Sequence, residues 1–208
     1  MTLRILGKAS SINVRKVLWT CAEIGLPYTL EAYGSGYEPT DTAAFLALNP
    51  NGLVPVIEDS EGVLWESNTI CRYLASRHGR DDLLPSAPRP RALVERWMDW
   101  QATELNTAWR TPFMALVRRD SAYADPASIA AGIDRWNAMM AILDGQLAAT
   151  GAYVAGEHFT LADVGLGLSA NRWLETPMAR PDYPAIAAWV ERLMVRPGFR
   201  EHGRNGTP

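Results

Sequence analysis

The hydrophobic period of this chain changes once, and that change constrains the fold more than any other feature. Over the first part of the chain, short alternating runs interleave with helical stripes. Leu3 to Leu6 alternates and meets Gly7, which reads as a short strand. Val14, Val17, Leu18 and Cys21 recur at helical spacing and stop at Gly25-Leu26-Pro27. Tyr28 to Tyr33 reads as a second strand, and Thr42 to Leu48 as a short helix. Val54 to Glu58 and Val63 to Trp65 read as strands joined by a turn at Asp59-Ser-Glu-Gly62. From Ser67 to about His78, Ile70, Cys71, Leu74 and Ala75 make a helical stripe. The order β-α-β-α-β-β-α predicts a mixed four-strand sheet, because a crossover is followed by a hairpin.

Residues 80–90, RDDLLPSAPRP, carry three prolines and several charges and read as a linker between a domain at 1–79 and another at 91–208. Beyond it the period is helical throughout, so the fold class is α/β followed by all-α. Leu93, Trp97, Trp100 and Glu104 form one stripe, and Pro112 is expected to kink or end that first long helix. Ile129, Ile133, Trp136, Met140, Leu143 and Leu147 keep the same spacing, as do Ile186, Trp189, Val190, Leu193 and Met194. Thr160-Leu-Ala-Asp163 is a capping-box pattern with Asp in place of Glu. The helix it opens is apolar almost all round and should be the buried centre of the helical half. Gly165 and Gly167 each cost about 1 kcal/mol there, for which close helix packing is the expected return.

Several function classes fall away. With 23 acidic against 20 basic side chains, the net charge of −3 argues against a nucleic-acid binder. Cys21 and Cys71 sit on apolar stripes and read as buried hydrophobes. His78, His158 and His202 are scattered and form no metal motif, so no metal is expected. No apolar run suggests a leader or a membrane span, which makes the cytoplasm the expected setting and leaves no membrane partner.

Three segments could carry chemistry. Ser10-Ser11-Ile12-Asn13 follows the first strand and opens the first helix, with Ser11 as N-cap and a hydroxyl free to bond the helix or a ligand. In Asn49-Pro-Asn-Gly-Leu-Val-Pro-Val-Ile57, Pro55 cannot donate to a ladder. A cis Val54–Pro55 bond would turn the backbone groups of Val54 outward, able to pair with a bound peptide. At Trp65-Glu66-Ser67-Asn68 a strand ends and a helix begins, which favours a carboxylate, with Glu66 available to an ammonium. Each alone is an ordinary cap or an edge proline. Together they describe a peptide clamp, a carboxylate site and a hydroxyl at strand ends of one small domain.

In NPNGLVPVIED, then LWESNTICRYLA, then a proline-rich linker, then a helical half containing FTLADV, the chain resembles the glutathione transferase family over nearly its whole length. The resemblance implies a thioredoxin-like N-terminal domain, an all-helical C-terminal domain and a homodimer. It implies glutathione as co-substrate, bound at Leu53, Val54, Pro55, Glu66 and Ser67. Val54 would pair with the cysteinyl backbone, Pro55 would be the family's cis proline, and Glu66 and Ser67 would hold the γ-glutamyl end. Ser11, placed by the pattern around Arg15 and Val17, would be the serine of the theta and phi classes, with Asn13 assisting. Ser10 is the alternative favoured by the zeta pattern, a double serine followed by Cys, where this chain has Ile12. Cysteine and tyrosine are missing between positions 7 and 13, which disfavours the cysteine-type and tyrosine-type classes. The implied reaction joins the glutathione thiolate to a small hydrophobic electrophile. Trp109, Arg110 and Phe113 would line that second site and Trp173 would lie farther off. A non-catalytic binding protein of the same fold and a zeta-like isomerase are the alternatives.

Overall fold

The computed structural model describes residues 2–208. Strands β1 (Leu3–Leu6), β2 (Tyr28–Glu31), β3 (Val56–Asp59) and β4 (Gly62–Trp65) form a sheet in the order β2-β1-β3-β4. β1 and β2 are parallel, as the crossover through helix α1 (Ile12–Ile24) requires. β3 runs antiparallel to both β1 and β4. Helices α2 (Ala43–Leu48) and α3 (Ser67–Arg77) complete the expected order. Alternate strand residues face opposite sides. Ile5 and Ile57, paired across β1 and β3, join the main core with α1 and α3. Leu6 and Val56 face away and pack with Phe45.

Two strand ends differ from expectation. β2 stops at Glu31, and Tyr33 instead bridges Glu38 and packs on Phe45 at 5.2 Å. β3 begins at Val56 and not at Val54, because Pro55 has no N–H to give to the ladder.

The helical half starts with α4 (Pro88–Trp100), a π-helical turn (Gln101–Leu105) and α5 (Asn106–Leu116) in one run. It continues with α6 (Pro126–Thr150), α7 (Leu161–Glu175), α8 (Pro184–Met194) and α9 (Pro197–His202). Proline at the first position of α4, α6, α8 and α9 costs nothing, since that N–H has no helical partner. α4 therefore begins inside the stretch read as a linker. Pro112 does not end its helix, which continues to Leu116. The buried face of α4 is Val94, Trp97 and Met98, whereas Leu93 and Trp100 are half-buried and Glu104 is exposed. Trp97 shares that face, and Trp100 marks its border.

α7 is the centre of the helical half, buried from Leu161 to Trp173. A Cβ on Gly167 would lie 3.0 Å from Leu193 and from Trp19 of α1, so the glycine does allow close approach. Trp19 is fully buried and packs on Phe159 and Phe199 at 5.8 and 5.0 Å. Hydrophobic contact thus runs without a break from the sheet through α1 into the helices.

Candidate functional site

The loops after β1, before β3 and after β4 converge at one end of the sheet. Gly7 fixes the first against the second. A Cβ there would meet Val14 at 2.5 Å and the Cβ of Val54 at 3.3 Å. The third is tied to the first by Lys16, whose ammonium donates to Asn68 of α3 at 3.2 Å.

Ser11 is the N-cap of α1, with φ −78° and ψ 125°, yet its side chain makes no capping bond. Its backbone carbonyl accepts from Arg15 at 2.9 Å and its N–H donates to Lys8. The hydroxyl therefore has no hydrogen-bond partner among the described residues, at the positive end of a 13-residue helix. Ser10 is exposed on the preceding turn, and Asn13 is half-buried one residue inside the helix.

The Val54–Pro55 bond is cis. Neither backbone group of Val54 has a hydrogen-bond partner among the described residues. The carbonyl of Leu53 is already engaged, accepting from Asn49 Nδ2 at 2.7 Å, while its side chain is 65% exposed. Glu66 caps α3 with φ 75° and ψ 108°, a conformation that side-chain-bearing residues rarely adopt. The carboxylate is exposed at the mouth of the site, and the neighbouring Ser67 is buried with no side-chain partner among the described residues. A strained backbone held at such a junction is a common mark of a ligand clamp.

Beneath these loops lies a polar node that sequence reasoning missed. Lys16 is 2% exposed and donates to Gln101 at 2.8 Å as well as to Asn68. Gln101 in turn donates to Ser169 and Asn106, and Asn68 donates to the Met98 carbonyl. Burial pulls the lysine down to about 8. This node binds α1, α3, the π-helical turn and α7 into one frame.

The expected second site divides. Trp109 and Phe113 lie together on α5, edge to face at 5.3 Å, with the indole N–H given to Asn106. Arg110 is exposed and donates to the Tyr123 hydroxyl at 3.2 Å, away from that pair. Trp173 donates to Asn137 and stacks on Tyr183, facing another groove. The cation beside Trp109 and Phe113 is Arg172 of α7, with its guanidinium 4.3 and 4.1 Å from the two ring centroids. Burial, with repulsion from Arg15 and Arg118, pulls it down to about 9. The only signal for it in the sequence was the single arginine of a helix that is apolar over most of its length.

Comparison with known proteins finds relatives over most of the chain. The family model described as "Glutathione S-transferase, N-terminal domain" matches residues 10–77, and that described as "Glutathione S-transferase, C-terminal domain" matches residues 126–192. Glutathione S-transferase GstB of Escherichia coli (strain K12) is 36% identical over 197 residues, which is 94% of each chain. Glutathione S-transferase 3 of Zea mays is 31% identical over 207 residues, 96% of this chain and 92% of that one. The crystal structure of a theta class glutathione S-transferase from Xanthomonas axonopodis pv. citri with glutathione bound superposes with a TM-score of 0.90 at 40% identity, covering 97% of both chains.

Proposed function

The chain belongs to the glutathione S-transferase family and is a glutathione transferase, and from that premise we propose that Ser11 stabilises the glutathione thiolate for attack on a small hydrophobic electrophile. The observation that carries the reading is the N-cap hydroxyl of Ser11, without a partner among the described residues at the start of α1. A serine is too weak an acid to act as a base here, so its role is to donate a hydrogen bond to sulfur. A free thiol with a pKa of about 8.5 is only about 3% thiolate at pH 7. Lowering it by about two units needs roughly 2.7 kcal/mol and raises the thiolate about 25-fold. A charge-assisted hydrogen bond of about 1.5–3 kcal/mol and a helix-end contribution of about 0.3–1 kcal/mol together suffice.

The remaining groups orient the tripeptide. The free N–H and carbonyl of Val54 pair with the cysteinyl backbone in strand fashion. The start of α3 and Ser67 take the γ-glutamyl carboxylate, and Glu66 takes the ammonium. Asn13 assists at the sulfur, and Trp109 and Phe113 offer the apolar wall for the electrophile. Holding both reactants in line supplies the rest of the acceleration. We place this chemistry in the cytoplasm and in a homodimer, the latter checked by light scattering.

The test is the ultraviolet difference absorbance of bound glutathione thiolate against pH, in the parent, Ser11→Ala and Ser10→Ala. A thiolate signal with a midpoint well below about 8.5, lost in Ser11→Ala and kept in Ser10→Ala, is the expected result. The reverse pattern assigns the role to Ser10. Saturable binding with no thiolate signal in the parent overturns the mechanism.

A further inference from the structure

Two arginines lie buried where α1, α5 and α7 meet, and the chain treats them differently. Arg15 is 1% exposed and donates to the carbonyls of His202, Gly203 and Thr207 in the C-terminal tail. Arg172 is 3% exposed, and its guanidinium makes no side-chain hydrogen bond among the described residues. Its Nε is fully buried without a partner. The nearest acid along its own helix, Glu175, is committed to Arg204 at 2.8 Å. Its charged neighbours are Arg15, Arg118 and Lys16, all basic.

A buried guanidinium normally has hydrogen-bond acceptors for its donors. The two rings beneath Arg172 stabilise its charge but accept none of its planar N–H fork. Those rings are the same Trp109 and Phe113 that wall the electrophile site. Trp109 is half-buried and Arg118, 5.5 Å over the Phe113 ring, is exposed. The unpaired cation therefore packs on the faces of these rings, within electrostatic reach of Arg15, which lies in the first turn of α1, the helix that Ser11 caps.

We propose that Arg172 is the specificity-determining residue of the electrophile site and that the preferred electrophile is a small, planar molecule bearing a carboxylate. The proposal rests on the glutathione-transferase reading and sharpens its second substrate. The carboxylate is a spectator, held by the guanidinium fork in bidentate fashion. In a chloronitrobenzoate, sulfur bonds to the chlorine-bearing ring carbon, the carbon–chlorine bond breaks, and chloride leaves with the electron pair.

The test compares a chloronitrobenzoate with its methyl ester, so that ring chemistry is shared and only the charge differs. The ratio of kcat/KM for acid over ester is measured in the parent, Arg172→Met and Arg172→Lys. We expect the ratio to fall about tenfold in Arg172→Met, or about 1.4 kcal/mol, with the KM for glutathione unchanged. Arg172→Lys keeps the charge without the planar fork and should fall between. An equal loss for acid and ester makes Arg172 merely structural and overturns the proposal. A raised glutathione KM with an unchanged ratio assigns Arg172 to a glutathione carboxylate and also overturns it. Should Arg172→Met not fold, inhibition of ester turnover in the parent decides. Benzoate should compete with the ester about tenfold more strongly than benzamide, and equal inhibition overturns the proposal. Failure of the parent to bind glutathione or turn over the ester defeats the transferase reading itself, which the acid-to-ester ratio leaves untouched.

Discussion

At the scale of single residues, Asp163 shows how one buried acid can organise a helix start. It is fully buried, and its carboxylate accepts from the backbone N–H groups of Val154 and Thr160, from the Thr160 hydroxyl and from the Trp189 indole, at 2.9 to 3.2 Å. Burial nevertheless outweighs these bonds and raises its pKa from the usual carboxylate value to about 6. Between about pH 4 and pH 6 the folded chain holds a proton that the unfolded chain has released. This residue therefore stabilises the fold most at low pH, and its contribution falls as pH rises through that window. The change is about 1 kcal/mol between pH 5 and pH 7. Asp163→Asn puts an amide NH2 against two donors and should cost about 1–3 kcal/mol. In urea melts, the parent's advantage over Asp163→Asn should shrink from pH 5 to pH 7 and then stay constant. An advantage that grows with pH would refute the shifted carboxylate. The capping pattern of this residue was legible in the sequence because a cap is a local motif. Ser11, Val54 and Glu66 stood out for the same reason, each at a strand or helix end with turn chemistry beside it. Lys16 and Arg172 did not, because a helix period tells which face a residue shares but not how deep the partner helices will bury it.

At the scale of elements, small residues decide how closely α1 lies on the helical half. A Cβ on Gly198 of α9 would sit 2.4 Å from Trp19 Cδ1 and 3.2 Å from the Ala22 side chain. Trp19 is fully buried and has no room to retreat. Gly198→Ala should therefore destabilise the protein by about 1–3 kcal/mol, despite the better helix propensity of alanine. Gly145, exposed on α6, has open space where a Cβ would lie. Gly145→Ala should stabilise by up to about 1 kcal/mol. Thermal melts of the two variants check the pair, and a stabilised Gly198→Ala would refute the close contact. Most elements could be read from periodicity, glycine stops and caps. The π-helical turn could not. Gln101 at its start bonds Asn106 nearby and, far off in sequence, Lys16 and Ser169, partners that no local pattern announces. The offset of the buried face of α4 toward Val94 and Met98 has a similar origin. Trp97, although buried, and the half-buried Trp100 both border the groove with Ile142 and Gln146.

At the scale of the whole molecule, the sheet domain that carries Ser11 does not stand apart from the helical half. Besides the continuous core, Glu23 of α1 pairs with Arg196 at 2.6 Å, and the Leu83 carbonyl accepts from Leu161. The C-terminal tail closes the join: the Thr207 carbonyl accepts from both Arg15 of α1 and Asn171 of α7. The two halves should therefore unfold as one unit, with a calorimetric enthalpy near 60 °C of roughly 145 kcal/mol in a single peak. Ending the chain after His202 removes two of the three acceptors of Arg15 and leaves a buried guanidinium short of partners. Losing acceptors for a buried charge costs several kcal/mol. Because α1 belongs to both cores, that loss should lower the midpoint of the whole transition and not detach one half. Two resolved peaks, with the sheet melting first and the helices unchanged, would refute the coupling. A single lowered peak would mean that the helix carrying Ser11 owes its position to a tail more than 190 residues away in sequence.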